Sequence, residues 1–318
     1  MKIAFGPVPS RRLGQSLGIN NIPPKICTYS CVYCQLGSTL QMQVDRQVFY
    51  APDQVLAHVQ RKVANAQEKG EAIDYLTFVP DGEPTLDVNL GREIATLRPL
   101  GVKIGVISNA SLIWRQDVRE ELAQADWVSL KADAAAEKTW RRVNRPHRKL
   151  SLDAIQNGML EFARQYTGVL VTETMLIDGV NDGEEDIRKV ADLIARLQPA
   201  RAYLAIPTRP PAETWVQLPG EDAINRAYQL LSERVEHVEY LIGYEGNAFA
   251  FTGDVEEDLL SITAVHPMRE DAVDAFLARA GVDWVVVRRL VAQGQLVATE
   301  YGGRRFYLRR IKGRRDRD

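Results

Sequence analysis

Cysteine is scarce in this chain, and what there is sits in one place. The 318 residues hold three cysteines, Cys27, Cys31 and Cys34, all inside "KICTYSCVYCQLG". So small and tight a set builds no disulfide framework and points to a reducing compartment. Long apolar runs are also missing. None approaches the ~20 residues of a membrane-spanning helix, so no membrane partner is expected. The start, "MKIAFGPVPSRRLG", lacks the apolar core of a secretory signal, and a cytoplasmic location is the expectation. Repeats and low-complexity tracts do not stand out. With 45% hydrophobic and 26% charged residues the composition excludes disorder and supplies a real core.

Net charge of one sign is nearly absent overall, −2, yet it is unevenly spread. From Val285 onward there are ten bases and three acids, a net +7 that leaves −9 for the rest. A basic tail on an acidic body invites a polyanion, although a solvated terminus has the same composition.

What is present is an alternation. Apolar runs "SLGINNI", "YLTFVP", "KIGVISN", "DWVSLKAD", "GVLVTETMLI" and "RAYLAIP" are separated mostly by segments of helical period. "DQVLAHVQRKVANAQEK" carries Val55, Leu56, Val59 and Val63 at such spacing, and "SLDAIQNGMLEFARQY" opens on the N-cap candidate Ser151. Six buried strands alternating with helices predict an α/β fold, an incomplete (β/α)6 barrel, with a doubly wound sheet as the alternative. Ligand chemistry then belongs in loops at the strand C-terminal ends. The pattern changes near residue 255. Three short helical runs precede two strand-like runs around Gly302-Gly303, as in a winged helix-turn-helix. The expected domains are 1–254 and 255–318.

The cysteine spacing is C-x3-C-x2-C. Three thiols this close beside Tyr29, Ser30 and Tyr33 do not read as core packing. A structural zinc site needs four ligands, and the histidines (His58, His147, His237 and His266) lie outside the loop. A three-Cys, one-His zinc site stays open as an alternative. An iron–sulfur cube suits three thiolates if its fourth iron is left for a ligand.

The stretch resembles the radical S-adenosylmethionine superfamily, which has this spacing and commonly an aromatic before the last cysteine, here Tyr33. "DGEPTL" resembles that family's turn for the methionyl amino group, with Gly82, Glu83 and Thr85, and with Asp81 where many members have glycine. The resemblance further implies cofactor contacts from Ser108 and Asn109 in "ISNAS" and from Ser129, Lys131 and Asp133 in "VSLKAD". It implies a [4Fe-4S] cluster on Cys27, Cys31 and Cys34, S-adenosylmethionine as second cofactor, and a flavodoxin- or ferredoxin-like one-electron donor. The implied activity is that of an iron–sulfur oxidoreductase, with cluster and cofactor carrying the chemistry.

Within the superfamily, "GPVPSRRLGQSLGIN", the cysteine loop, "GEPTL" and "GYEGNAFAFTGDVEEDLLSITAVHPM" resemble the wyosine-forming tRNA enzymes. Those enzymes carry a second cysteine set, for which this chain has no cysteine left. A basic run, "KTWRRVNRPHRK", offers Trp140, Arg141, Arg142 and Arg145 as nucleic-acid contacts, with Arg304 and Arg305 in the tail. The leading expectation is a radical enzyme acting on tRNA or another nucleic acid. The alternatives are the same chemistry on a protein or peptide, and a non-enzymatic, metal-bearing nucleic-acid-binding regulator.

Overall fold

The structure is a computed structural model that describes residues 3–242 and 246–310. Its strands, in chain order, are β1 (Ala4–Ser10), β2 (Gly14–Ile19), β3 (Ile26–Cys27), β4 (Gln41–Met42), β5 (Tyr75–Phe78), β6 (Lys103–Ser108), β7 (Trp127–Lys131), β8 (Val169–Met175), β9 (Arg201–Ala205), β10 (Val238–Leu241), β11 (Met268–Arg269), β12 (Leu296–Tyr301) and β13 (Arg304–Arg309). Eight of them form one sheet in the order β1-β2-β5-β6-β7-β8-β9-β10. β1 is antiparallel to β2, and every later neighbour pair in that sheet is parallel.

Each parallel crossover carries helix. The crossover helices are Pro52–Glu68, Leu90–Leu97, Gln116–Leu122, Glu137–Asn144, Leu152–Gln165, Glu184–Leu197 and Glu221–Ser232. They pack on one face of the sheet, where Leu17, Ile19, Leu76, Phe78, Ile104, Val106, Val128 and Leu130 meet them. Full burial of each such side chain stabilises by roughly 1.5–3 kcal/mol. The sheet curls into an open half-barrel, and Leu13, Trp127, Val171, Tyr203 and Leu241 fill its inner side. Ser151 caps its helix as expected, its Oγ accepting from the Ala154 N–H at 3.4 Å.

The six expected parallel strands are joined by two more. β10 is a seventh parallel strand, four residues long with both central residues exposed, too short for a clear period. β1 contains Pro7 and Pro9, which read as breakers in sequence. As an edge strand it has no neighbouring strand on one side among the described residues, so missing N–H donors cost little.

The C-terminal segment holds helices Val255–Val265, Glu270–Ala280 and Val285–Ala292 and a three-stranded sheet in the order β11-β13-β12. Its core is shared: Phe5 and Val8 of β1 pack with Phe249, Leu259, Ile262 and Phe276. The buried Lys62 reaches it from the first helix, donating to Asp258 and to Thr252, each at 2.9 Å. Lys312, Arg314, Arg315 and Arg317 of the basic tail, and residues 243–245 of the "GYEGNAFAF" stretch, lie outside the described residues. Among the described residues no helix is long and apolar enough to cross a membrane.

Candidate active site

The cysteine loop leaves β2 at the strand's C-terminal end and folds back on itself. β3 and β4 pair in parallel, so Cys27 lies opposite Met42. Successive turns then close the loop, with Cys34 N–H donating to Cys31 O at 3.1 Å and Gly37 N–H to Cys34 O at 3.0 Å. All three cysteines are half-buried residues. Two amides reach them: Asn109 Nδ2 lies 3.5 Å from Cys27 Sγ, and Asn144 Nδ2 lies 3.4 Å from Cys31 Sγ. Burial first, then Cys31 and Glu83, pushes the Cys27 pKa well up; burial and Asp133 push Cys31 up to about 12. Burial thus favours the thiol form, and a bound metal deprotonates a coordinating thiol outright.

The turn after β5 supports this loop. Gly82 packs so closely under it that an added Cβ would sit 1.9 Å from the Ile26 carbonyl oxygen. Only glycine fits there. Lys25 and Asp81, both buried, pair at 3.4 Å, which gives the Asp81 departure from the family's glycine a partner in the loop itself. Glu83 is 1% exposed and fully used. One oxygen accepts from Thr85 N–H at 3.1 Å, Thr85 Oγ1 at 2.6 Å and Ser108 Oγ at 2.7 Å, the other from Asn109 N–H at 2.7 Å. Its carboxylate ties the ends of β5 and β6 into one shelf beneath the cysteines. Gly82, Glu83, Thr85, Ser108 and Asn109 are therefore brought together as expected.

β7 supplies the next wall. Ser129 and Lys131 are two residues apart and so share a face. The Ser129 hydroxyl is buried with no hydrogen-bond partner. Lys131 Nζ lies 2.9 Å from Glu173 Oε1, 3.4 Å from Asp133 Oδ1 and 5.0 Å above the Tyr33 ring. Arg12, from the β1–β2 turn, pairs with the second Glu173 oxygen. Burial works to raise the Glu173 pKa, but Lys131 and Arg12 override it and bring it to about 2. Burial would lower the Lys131 pKa, and Asp133 and Glu173 more than reverse that. Asp133 accepts from Tyr33 Oη, from Asn144 Nδ2 at 2.7 Å and from Met175 N–H at 2.9 Å. Arg12, Asn144 and Glu173 were not among the sequence candidates. Asn144 and Glu173 lie more than 100 residues beyond the cysteines with no motif to mark them, and Arg12, although inside "GPVPSRRLGQSLGIN", has nothing local that assigns it to the site.

One expectation is overturned. Trp140, taken as a stacking surface for a base, is 2% exposed. Its Nε1–H donates to Tyr29 Oη at 3.2 Å, and the two rings meet edge-on at 5.9 Å. It faces inward on its helix, where its area is worth more buried than wet. Its basic neighbours do stay outside. Arg141, Arg142, Arg145, Arg148 and Lys149 are exposed, Arg141 pairing with Glu137 at 2.7 Å and Arg145 with Glu213 at 2.6 Å. Their backbone runs along the cysteine loop: Ser30 N–H donates to Asn144 O, Val32 N–H to Val143 O, and His147 N–H to Thr28 O at 2.9 to 3.1 Å. Arg304 and Arg305 belong instead to the β12–β13 hairpin, where Arg305 lies 3.4 Å from Glu270.

The donor set discriminates between metals. Among the described residues no three His, Cys, Asp or Glu side chains converge as a single ion would require. Three thiolates with no fourth ligand in the loop leave a zinc ion one ligand short, whereas in an iron–sulfur cube each thiolate holds a different iron and the fourth iron can take another ligand. The buried, unpartnered Ser129 hydroxyl suits a second, hydroxyl-bearing ligand beside it.

Comparison with known proteins agrees with this geometry. The chain is 45% identical over 316 residues to a UPF0026 protein of Methanocaldococcus jannaschii, covering 99% of this chain and 98% of that one. In fold it is similar to a radical SAM methyltransferase from Sphaerobacter thermophilus, with a TM-score of 0.56 and 18% identity over 71% of this chain and 66% of the other. It is also similar to a structure of TYW1 with a lysine-pyruvate adduct bound, with a TM-score of 0.54 and 19% identity over 69% and 74%. The Radical SAM superfamily model matches residues 21–194, from just before the cysteine loop to the helix after β8. With more than half of its length matched, and the three cysteines and their shelf inside the match, the chain belongs to the radical SAM (S-adenosylmethionine) superfamily.

Proposed function

We propose that this radical SAM protein is an enzyme acting on a nucleic acid, with tRNA as the first candidate. The observation that carries the reading is the exposed basic run Arg141–Lys149, hydrogen-bonded by its backbone to the loop that holds the cysteines. A phosphate backbone attracted there lies next to the reactive centre. Cys27, Cys31 and Cys34 would hold the [4Fe-4S] cluster, with Gly82, Glu83, Thr85, Ser108, Asn109, Ser129, Lys131 and Asp133 around S-adenosylmethionine. The chemistry these cofactors supply is reductive cleavage of S-adenosylmethionine to methionine and a 5′-deoxyadenosyl radical, which takes a hydrogen atom from the substrate. The electron comes from outside, from a flavodoxin- or ferredoxin-like donor.

The protein's own share is positioning. Gly82 lets the turn pack directly against the cysteine loop, and backbone carbonyls in such a turn can accept from an ammonium through a second lone pair. Lys131 has three N–H donors, two of them directed at Glu173 and Asp133, so one remains for a carboxylate. A lysine held so firmly in its charged form is poorly suited to act as a nucleophile. The Ser129 hydroxyl is free for a ribose.

Residues 255–318 serve in this reading as a winged-helix unit. Three helices with a sheet ordered β11-β13-β12 and a Gly302-Gly303 wing support it. Arg304 and Arg305 at the wing add a second basic surface. The test is binding of unfractionated tRNA as salt is varied. Log affinity should fall linearly with log salt, and the combined Arg141→Ala, Arg142→Ala and Arg145→Ala variant should reduce both affinity and slope. A slope near zero, or an unaffected variant, would refute the reading.

A further inference from the structure

Between β9 and the helix Glu221–Ser232 runs "IPTRPPAETWVQLPG", which touches three parts of the molecule. At one end, Tyr301 of the β12–β13 hairpin donates to the Pro207 carbonyl at 2.8 Å. Arg209 donates to Gln35, the residue after Cys34, at 2.7 Å, and lies 3.0 Å from His266 of the C-terminal unit. Further on, Glu213 N–H donates to Val32 O at 3.0 Å while its carboxylate holds Arg145. Val216 is fully buried with Val32 and Val143. Four prolines fix the backbone dihedrals of this strap.

The strap therefore joins the basic run at Arg145 to the basic hairpin of the C-terminal unit, passing beside the cysteine loop. Trp215 sits on it with 44% of its surface exposed, next to the buried Val216. Leu218, 43% exposed, lies three residues on. A tryptophan kept this open on an anchored segment offers a large flat face at little entropic cost.

We propose that Trp215 is the platform on which an unpaired base of the substrate stacks. The inference rests on the nucleic-acid reading above and sharpens it to a substrate class: RNA presenting a single-stranded loop or end at the barrel mouth. Trp215 is two residues past Glu213, the partner of Arg145, so a strand drawn to Arg145 and on toward the hairpin runs along the strap beside it. Phosphate contacts alone do not distinguish paired from unpaired strands, whereas stacking on a side chain requires a base free of its own stack.

The test uses the full chain with two probes, unfractionated tRNA and a blunt RNA duplex of similar phosphate content. Trp215→Ala should weaken tRNA binding by roughly 5- to 100-fold. Trp215→Phe should retain most of the affinity. The salt slope should not change, because no phosphate contact is lost. Duplex binding should be unaffected. Unchanged tRNA affinity in Trp215→Ala, while the triple arginine variant loses it, would overturn the platform and leave the nucleic-acid reading standing. Equal losses on tRNA and duplex would likewise overturn it. Failure of the wild-type chain to bind tRNA in a salt-dependent way would sink both.

Discussion

Glu83 and Glu93 are ten residues apart, each 1% exposed, and the fold supplies them with very different donor sets. Glu83 lies under the cysteine loop and accepts four hydrogen bonds. Glu93 lies on the flank, on the helix Leu90–Leu97, and among the described residues neither of its oxygens completes a hydrogen bond. Burial, and then the nearby Asp87 carboxylate, pushes its pKa up to about 9, although the Asn21 amide nearby favours the charged form. Asp87 and Glu121 beside it are pushed up to about 6 and about 7, by burial above all. Arg46 serves this group, donating to Asp117 at 2.8 Å, to Glu121, and to the Asp87 carbonyl at 2.7 Å. A buried carboxylate stays charged only where donors surround it. Burial raises the Glu83 pKa as well, but four donors oppose it, whereas Glu93 has no such set and Asp117 on the same flank is held at about 2 by Arg115 and Arg46.

The largest expected effect strikes the mouth. Cys31→Ala removes one of three thiolates and should abolish iron binding and cofactor cleavage after anaerobic reconstitution. Iron content equal to wild type would break the assignment of this loop. Next comes Arg46→Met on the flank. Its side chain is 4% exposed, and its loss strands several acids, so denaturant unfolding should show a loss of about 3–5 kcal/mol. A loss below about 1 kcal/mol would mean the flank acids already protonate freely and the comparison holds without Arg46.

Glu83→Gln comes third. One acceptor becomes a donor facing donors, and charge-assisted bonds are lost, for about 1.5–3 kcal/mol. The variant should also retain its cluster less well, because the shelf under Cys27 loosens. A neutral outcome would mean Glu83 is protonated like Glu93 and would erase the contrast. The smallest effect at any single step of one pH unit is a slope. Glu93 has its pKa raised in the folded state from an ordinary 4.5 to about 9. Its contribution to stability is therefore complete below about pH 4.5 and is lost as pH rises to about 9. Over that window each pH unit costs up to ~1.4 kcal/mol. Glu93→Gln should flatten that part of the pH–stability curve, whereas curves parallel to wild type would place the titration elsewhere.

Much of the barrel was legible because it repeats. Buried strands alternating with amphipathic helices leave a strong periodic record, and all six expected strands are present. β1 and β10 escaped, one for its prolines and one for its brevity. The cysteines, Gly82 and Glu83 could be read from short motifs. The charge partners of Lys131 could not. Glu173 is 42 positions away and Arg12 is 161 positions from Glu173, and no local pattern links them.

The sequence by itself determined the thiol count. Three cysteines at fixed spacing, with no others in the chain, limit any metal site to three thiolates whatever the fold. It also determined the layering, since hydrophobic period follows directly from local geometry. Only the tertiary structure decided which tryptophan is wet. Trp140 lies within a basic, polar-looking run yet is buried against Tyr29, while Trp215 lies between prolines and stays open. Burial depends on what other segments bring to a side chain, and here those segments are more than 100 residues away.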